Sequence, residues 1–348
     1  MFFTIDPIRG YSGYSKAVRS LALAMSKKTF VKCVDFNLVG YLPESLQPLI
    51  MGTMPVPRKQ DFIFGRVYFN DLFKLKGEGR IIANLALESD RFPERLVRDC
   101  NDDRIEQIWV PSTFVKDNLV KNNVIESKIK VIPHGYDPEV YKVQPTEPKD
   151  YYRFMFNGGY TGKGDRKGAD LLVEAFLEEF EKEILEGKVM LYLKINTSYG
   201  DASADLEGPG IVIDKTFYTE EELAKILSKA DCYVCPSAGE AFDMGTLEAM
   251  ACGLPIIHNS IGGHRDYLND CNNNFCGGDE KRVKLLVNKE VPAKFSPIDI
   301  GHWWKPELHD LKYLLRYMYD NKPPIKKYDG IERWTWDKAA EVAIECLK

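Results

Sequence analysis

Residues 232–257 constrain the fold more than any other part of the chain. The apolar run at 232–236 is typical of a short buried strand, and the helical spacing of apolar residues after Gly245 predicts a helix. That helix is expected to end before Gly253, the residue type found just past helix termini. A second strand is predicted at 254–257. Parallel strands joined by a helix form an open α/β sheet, which binds ligands at the carboxyl ends of its strands.

Two glutamates, Glu240 and Glu248, flank the start of the predicted helix. A pair of carboxylates beside a helix N-terminus could face a ligand held at that edge of the sheet. Carboxylates at this position also complement the helix dipole without any ligand. From these residues alone, a binding role and an ordinary pair of exposed helix-start acids both remain open.

Strand and helix alternate along the chain. Further strands are predicted at 2–5, 31–36, 60–64, 80–87, 106–111, 128–133, 153–156, 189–195 and 210–214. Helical segments separate most of them, which indicates parallel, doubly wound sheets. The length of 348 residues suits two domains. Because the stretch 142–150 is polar and holds two prolines, we predict a linker there and α/β domains at 1–145 and 146–325.

Three local expectations complete this outline. A single helix is predicted to follow Gly168 and to run to about residue 186. Thr219 and Glu222 have the spacing of a capping box at a helix start. The proline-rich region 40–60 and the region 264–305 have weak patterns, so both are expected to be irregular.

Composition places the chain among globular proteins and narrows its partners. It is 44% apolar and 28% charged, and it has no apolar run near the roughly 20 residues of a spanning helix. The N-terminus lacks the pattern of a signal peptide, so we expect a cytoplasmic protein. A net charge of −5 provides no general attraction for nucleic acid, which argues against it as a partner.

The eight cysteines lack the spacings of zinc ligands. Cys232 and Cys235 form a Cys-x-x-Cys pair, but they lie within an apolar predicted strand. Buried thiols are common in such positions, so both are predicted to be core residues. We therefore predict no metal site, no disulfide and no bound cofactor.

Residues 157–168 form a loop rich in glycine and basic residues between a predicted strand and a predicted helix. Glycines let backbone amides approach an anion, and Lys163, Arg166 and Lys167 add positive charge. Each charge-assisted hydrogen bond would contribute roughly 1.5–3 kcal/mol. A phosphate-binding loop and a flexible loop with solvated charges are both compatible with this pattern.

A smaller loop with two glycines, Gly10 and Gly13, precedes the first predicted helix. Such a loop could bring backbone close to a phosphate or a sugar. A plain tight turn explains the same residues equally well.

Taken together, these motifs resemble the retaining glycosyltransferases of the GT-B fold, specifically the group 1 (family four) type. Glu240 and Glu248 match the family's two glutamates separated by seven residues. Arg166-Lys167-Gly168 resembles its Arg-Lys-Gly motif. Further similarities lie at 110–114, 131–137, 247–257, 262–263 and 303–307.

The resemblance implies two Rossmann-like domains that face each other across a cleft, with a C-terminal helix at 326–348 crossing back to the first domain. It implies a hexosyl- or pentosyltransferase that moves a sugar from a nucleotide diphosphate sugar to an acceptor hydroxyl. The donor would be a UDP-, GDP- or ADP-sugar bound by the second domain. A glycan or a lipid-linked molecule would be the acceptor, and no bound metal is implied.

The resemblance also assigns roles to individual residues. Glu248 would bind the ribose hydroxyls, Glu240 would face the transferred sugar, and Lys167 would stabilise the diphosphate leaving group, helped by Lys163 or Arg166. The remaining donor-binding candidates contribute backbone, and they are Met244, Gly245 and Thr246 at the helix start and Gly13 in the first loop. Such preorganised charge and dipoles act where negative charge develops in the reaction.

Several positions depart from the family pattern. Many relatives have a basic residue several positions before Arg-Lys-Gly, where this chain has Tyr160 and Thr161, so Lys163 would take its place. Ala241 and Asp243 stand where glycines are usual. Asp243 could select the hydroxyl pattern of the sugar, or it could be a simple turn residue. Many relatives have a histidine near the end of the strand predicted at 80–87, where this chain has Glu88, our acceptor-side candidate.

Alternative functions remain at this point. The chain could be a nucleotide-sugar-binding or epimerase-like GT-B protein without transferase activity, although acid/base groups for epimerisation are not evident. It could also act on a modified nucleic-acid base. Residues 66–80 mix basic and aromatic side chains, which suits either a peripheral membrane contact or a solvated helix.

Overall fold

A computed structural model describes residues 1–35, 40–53, 55–65, 77–145, 148–198, 200–272, 281–293 and 300–348. The chain divides into two compact units. The first comprises Met1–Gly135, Ser296–Gly301 and Trp334–Lys348, and the second comprises Tyr136–Phe295 and His302–Arg333. Residues 136–145, assigned from sequence to the first domain, therefore cluster with the second unit.

Each unit is built on a parallel sheet. The first sheet has the order β3-β2-β1-β4-β5-β6-β7, with strands β1 Phe2–Thr4, β2 Val31–Val34, β3 Ile50–Met51, β4 Phe62–Gly65, β5 Arg80–Asn84, β6 Ile105–Val110 and β7 Ile129–Val131. The second has the order β10-β9-β8-β11-β12-β13, with strands β8 Tyr152–Gly159, β9 Val189–Asn196, β10 Ile211–Asp214, β11 Cys232–Cys235, β12 Ile256–Asn259 and β13 Val283–Leu286. A separate antiparallel hairpin joins β14 Asn288–Pro292 to β15 His302–Pro306.

Helices cover the sheets. In chain order they are α1 Gly13–Ser26, α2 Glu94–Asn101, α3 Thr113–Lys121, α4 Ala169–Glu179, α5 Glu181–Leu185, α6 Glu220–Leu227, α7 Met244–Ala251, α8 Arg265–Asn272, α9 Leu308–Asn321 and α10 Trp336–Glu345. The predicted capping box is confirmed, because the Thr219 and Glu222 side chains each bind the other residue's backbone amide at the start of α6.

Three aromatic rings pack together in the core of the first unit. The Phe2 ring lies 5.5 Å from Phe64 and 5.7 Å from Trp109, centroid to centroid. The last helix, α10, packs on α1, and Lys27 and Lys28 pair with acidic residues on it. Gly135 lets the chain after β7 approach the start of α10, since a Cβ there would lie 2.4 Å from the Thr335 backbone.

The core of the second unit corrects one prediction. The single helix expected to end near residue 186 is two helices, α4 and α5, separated at Phe180. Phe180 leaves the helical conformation, with φ −119° and ψ 24°, and its side chain is fully buried beside Phe154 and Phe176. Burying this aromatic ring outweighs the continuation of a regular helix.

The two regions expected to be irregular contain short strands. Strand β3 lies within 40–60, β13 and β14 lie within 264–305, and β15 begins in that region and ends at Pro306. These strands are two to five residues long, too short for a clear two-residue alternation of apolar and polar side chains. Several predicted strands also end earlier than expected, such as β5, which stops at Asn84 rather than at 87.

Two further sequence expectations have partial outcomes. Cys232 and Cys235 are both buried, which confirms that they are core thiols. Most of the basic and aromatic stretch 66–80 lies outside the described residues, but Arg80 is in strand β5, where it pairs with Glu106 and lies 4.3 Å from the Phe62 ring centroid. Among the described helices, none is long and apolar enough to cross a membrane.

Candidate active site

Strands β8 and β11 bring the two main sequence motifs together in the second unit. The strands pair in parallel, so their carboxyl ends lie at the same edge of the sheet. The glycine-rich loop follows β8 and leads into α4, while Glu240 lies in the loop after β11. The backbone amide of Ala238 donates to the Arg166 carbonyl at 2.7 Å, which joins the two loops directly.

A three-residue ion cluster forms at this junction. The Lys167 Nζ donates to Glu240 Oε1 at 2.6 Å, and Arg166 Nη1 lies 3.3 Å from the same oxygen. Although burial alone would lower the pKa of Lys167, the Glu240 carboxylate raises it above its usual value. Lys167 is therefore a cation at neutral pH, held in position by Glu240.

Close approach of the two loops depends on a glycine. Gly168 precedes α4 with φ +72°, a conformation that glycine adopts without strain. A Cβ at this position would lie only 2.6 Å from the Pro236 carbonyl oxygen. Two requirements therefore favour glycine at the end of the Arg-Lys-Gly motif. The backbone is in the left-handed conformation, and the Pro236 backbone leaves no room for a Cβ.

The two glutamates are not exposed helix-start acids. Glu240 is 5% exposed and Glu248, inside α7, is 3% exposed. Burying a carboxylate is costly unless polar partners compensate, and such groups concentrate at functional sites. Their burial at the ligand-binding edge of the sheet favours the functional interpretation over the dipole interpretation.

The first turn of α7 starts from an unusual residue. Asp243 has φ +63°, and its Oδ2 accepts hydrogen bonds from the Thr246 hydroxyl and from His258 Nε2, the latter at 2.8 Å. Burial alone would raise the pKa of the Asp243 carboxyl, but the hydrogen bond and charge of His258 hold it well below its usual range. Gly245 is close-packed, since a Cβ there would lie 2.7 Å from the Tyr233 hydroxyl.

His258 and His264 are residues that sequence reasoning missed. Both are fully buried, and their rings stack with centroids 3.7 Å apart. His264 Nε2 donates to the Asn259 carbonyl at 2.7 Å. Burial, and then the charge of His258, lower the pKa of His264 well below its usual value. The sequence held one sign of these residues, because the polar pair His258-Asn259 directly follows the apolar run 254–257.

Possible metal ligands also occur in this region. Donor atoms of Cys235, Asp243 and His258 lie within 4.8 Å of one another. However, the Asp243 oxygen already accepts two hydrogen bonds, and burial followed by the charge of Asp243 raises the pKa of the Cys235 thiol well above its usual value. This donor set fits an internal hydrogen-bonded cluster better than a metal site, and the absence of a metal site stays a prediction.

Other predicted site residues lie in several places. Lys163 is exposed in the glycine-rich loop, and Met244, Gly245 and Thr246 form the first turn of α7. Glu88 and Gly13 belong to the first unit. Glu88 is half-buried beyond the end of β5, and Gly13 is the first residue of α1.

A polar cluster in the first unit was also missed from the sequence. Tyr14 donates to Asp6 Oδ2 at 3.0 Å, and Asn84 Nδ2 donates to the same oxygen at 2.9 Å and to the Tyr14 hydroxyl at 2.7 Å. Asp6 follows β1 and Asn84 ends β5, so the cluster lies near the point where the strand order reverses around β1. Arg19 fixes the adjoining loop through the carbonyls of residues 8 and 10, each at 2.8 Å.

A recess adjoins this polar cluster. It is small and open, with about 20 Å³ accessible to the centre of a water molecule. Its lining comes from α1 and from the ends of β4, β5, β6 and β7, and is mostly apolar, with Asn84 and His134 among the polar side chains. The recess and the polar cluster therefore lie together at the carboxyl edge of the first sheet, the edge at which open α/β sheets bind ligands.

Comparison with known proteins identifies what the second unit is similar to. Residues 152–294, which contain the Lys167–Glu240 junction and α7, match the family model described as glycosyl transferases group 1. This part of the chain is thus similar to the group 1 glycosyltransferases. This match confirms the predicted class of enzyme, a glycosyltransferase. The two parallel α/β sheets and the solved structures described below confirm the predicted GT-B fold.

The relatives of this glycosyltransferase are distant in sequence. A protein of Sulfolobus islandicus filamentous virus that carries the name of a glycosyltransferase is 24% identical over 281 residues, 79% of this chain and 74% of the viral protein. A D-inositol 3-phosphate glycosyltransferase of Mycobacteroides abscessus is 35% identical over 196 residues, which cover 51% of this chain and 42% of that protein. The chain thus spans less than half of that mycobacterial relative.

Solved structures agree over nearly the whole chain. Anabaena Alr3699/HepE, solved in complex with UDP and glucose, superposes with a TM-score of 0.69 at 13% identity, covering 99% of this chain and 98% of that one. A glycosyltransferase from Rickettsia africae has a TM-score of 0.63 at 14% identity, covering 99% of this chain and 93% of that one. At such identities the likeness establishes the fold alone.

Proposed function

We propose that this glycosyltransferase is a retaining enzyme that moves a sugar from a nucleotide diphosphate sugar to an acceptor hydroxyl. The observation that carries the proposal is the junction of the partly buried Lys167 and Arg166 with the buried Glu240 at the ligand-binding edge of the second sheet. It combines fixed positive charge with a carboxylate, and it lies beside the loop that leads into α7. The positive charge suits a bound diphosphate, and the carboxylate suits a sugar hydroxyl.

The chemistry asked of these residues is electrostatic. When the bond between the sugar and the diphosphate breaks, its electron pair passes to the phosphate oxygen. Lys167, with Arg166 and Lys163 in support, would stabilise that charge, together with the amides in the first turn of α7. The acceptor hydroxyl would attack from the face that the diphosphate leaves, and its proton would pass to the departing phosphate, which retains the configuration of the sugar.

Two carboxylates would orient the donor. Glu240 would bind hydroxyls of the transferred sugar, and Glu248 would bind the ribose hydroxyls of the nucleotide. A carboxylate accepts two hydroxyl hydrogen bonds in this way without proton transfer. Because HepE was solved with UDP and glucose, a UDP-hexose is the first donor to test, and GDP- and ADP-sugars follow.

The acceptor would bind at the carboxyl edge of the first sheet. Its polar cluster of Asp6, Tyr14 and Asn84 offers both donors and acceptors to a hydroxylated molecule. Glu88 and Gly13 belong to the same unit and remain our candidates for acceptor-side contacts. The names of several relatives contain D-inositol 3-phosphate, so a phosphorylated polyol is a reasonable acceptor to test beside glycans and lipid-linked molecules.

Two further parts of the proposal concern the need for a metal ion and the cellular compartment. We propose that the reaction needs no bound metal, because the cations of the glycine-rich loop can stabilise the diphosphate themselves. We also propose that the protein works in the cytoplasm, where nucleotide sugars are available. Activity that persists in excess EDTA would support the first point, and loss of activity that Mg²⁺ or Mn²⁺ restores would contradict it.

A screen of nucleotide sugars tests the central proposal. UDP-, GDP- and ADP-sugars would each be added to the protein, with thermal unfolding and release of the nucleoside diphosphate as readouts. A ligand at 100 times its Kd stabilises the folded state by about 2.7 kcal/mol, which is readily visible. Stabilisation without turnover in any acceptor mixture would favour a nucleotide-sugar-binding protein, and stabilisation by none of them would contradict the proposal.

A further inference from the structure

Asp243 occupies a backbone conformation that side chains rarely adopt. Its φ of +63° and ψ of 81° lie in the left-handed region, which glycine enters freely and which asparagine and aspartate tolerate. The residue immediately precedes α7 and follows Glu240 by three positions. A glycine would meet the backbone requirement at lower cost, so the aspartate side chain needs its own explanation.

The side chain and the main chain of Asp243 connect three elements. Its Oδ2 accepts from the hydroxyl of Thr246 in α7 and, at 2.8 Å, from Nε2 of His258 in β12. Its carbonyl accepts from the hydroxyl of Tyr267 in α8 at 2.8 Å. The start of α7 is therefore held against the strand and the helix behind it.

His258 is suited to hold a buried carboxylate. It is fully buried, and its Nδ1 lies 3.2 Å from the Asn259 carbonyl while its Nε2 contacts Asp243. Both ring nitrogens thus face oxygen acceptors. His264 stacks on the same ring and supports its orientation. Without His258, the carboxylate would lose its partner on β12, and buried ionised groups that lose a partner are strongly destabilising.

We infer that Asp243 and His258 form a positioning pair that fixes the first turn of α7 in the donor site, and that the Asp243 carboxylate does not contact the transferred sugar. This inference rests on the proposed function and deepens it. The pair orients the amides of Met244, Gly245 and Thr246 toward the diphosphate. Its loss therefore weakens the binding of the nucleoside diphosphate itself, with no sugar attached.

Four single variants and one double variant test the pair. Asp243→Gly keeps the turn but removes the carboxylate, and His258→Leu removes the donor at similar volume. Asp243→Asn and His258→Gln each keep a hydrogen-bonding group at the same place. The Kd values of UDP, GDP and ADP would be measured by calorimetry for every variant. Circular dichroism at the same temperature would show that each variant is folded.

The expected pattern is specific. Asp243→Gly and His258→Leu each weaken binding at least tenfold, which corresponds to about 1.4 kcal/mol. The double variant is no weaker than either single one, because both remove the same contact. Asp243→Asn and His258→Gln stay within about threefold of the wild type. In ¹⁵N-correlated spectra, the His258 Nε2–H signal is protected from exchange in the wild type and is lost in Asp243→Gly.

Other patterns overturn the inference. If Asp243→Gly leaves the affinity for free nucleotide unchanged but alters the choice between UDP-glucose and UDP-galactose, the carboxylate contacts the sugar. If the two losses add in the double variant, the residues act separately. A wild-type protein that binds none of the three nucleotides would contradict the proposed function as well, so the two failures are distinguishable.

Discussion

The Nζ of Lys167 lies 2.6 Å from Oε1 of Glu240, although 73 residues separate them in the chain. The contact joins the loop after β8 to the loop after β11, and it is almost fully shielded on the carboxylate side, where the Glu240 side chain is 7% exposed. The Lys167 side chain is 24% exposed, so its cation is held in position by Glu240 and is still accessible to a ligand. A cation with a fixed position is what stabilisation of a leaving diphosphate requires.

We expect Lys167→Ala to lower kcat more than it weakens nucleotide binding. Its cation interacts most strongly where charge develops on the leaving group, and a hydrogen bond from a charged group contributes roughly 1.5–3 kcal/mol, or about 10- to 100-fold in rate. Steady-state kinetics and calorimetry would measure the two effects. Lys182→Ala, at an exposed position on α5, is the control. Small and equal changes in kcat and Kd would contradict the role assigned to Lys167.

Glu248→Ala is expected to weaken the binding of free nucleoside diphosphate by about tenfold or more, because a charge-assisted contact to the ribose is lost. The matched control is Glu181→Ala, which removes an exposed acid from the first turn of α5. If Glu248 acted only on the helix dipole, both variants would have the same small effect on stability and no effect on nucleotide affinity. Titration calorimetry separates these outcomes.

Glu240→Gln should impair the reaction of the nucleotide sugar but not the binding of the free nucleotide. The variant keeps the shape of the side chain but removes the charge that pairs with Lys167. We expect the affinity for free nucleoside diphosphate to stay equal or to rise, since a negative charge beside the diphosphate is gone, whereas kcat with the nucleotide sugar falls at least tenfold. Unchanged turnover would argue against a sugar contact at this position.

Gly168→Ala tests the close approach of the two loops. Gly187 has nearly the same backbone angle, φ +67° against +72°, but a Cβ there meets nothing within 4 Å. Gly187→Ala should therefore cost only the strain of the left-handed conformation, about 1–2 kcal/mol. Gly168→Ala should cost about 1–3 kcal/mol more, because it also clashes with the Pro236 backbone. Equal losses in urea unfolding would show that the loops do not depend on this contact.

Acid should destabilise the protein partly through His264. Its pKa is lowered by burial, so the folded state keeps this histidine neutral while the unfolded state binds a proton below about pH 6.5. The free energy of unfolding should therefore fall as the pH drops from 7 to 5, by up to about 1.4 kcal/mol per pH unit from this group. His264→Gln, which keeps a donor to the Asn259 carbonyl, should flatten that fall in urea unfolding. An identical pH profile for the variant would refute the assignment.

Much of the fold was predictable from local patterns. The apolar run at 232–235 and the helix that ends before Gly253 gave the strand and helix that carry the site. Thr219 and Glu222 marked a helix start by their side chains alone. The break at Phe180 was not predictable in this way, because it follows from burying one ring among residues that are distant in sequence.

By itself the sequence determined the alternation of strand and helix, the glycine-rich loop and the spacing of the two glutamates, since these depend on neighbouring residues and on the conformations each residue type allows. Only the tertiary structure decided that Lys167 meets Glu240, that both glutamates are buried, and that Asp243 finds His258 behind it. These contacts join residues brought together by parallel strand pairing and by packing against the sheet. Local periodicity carries no information about them.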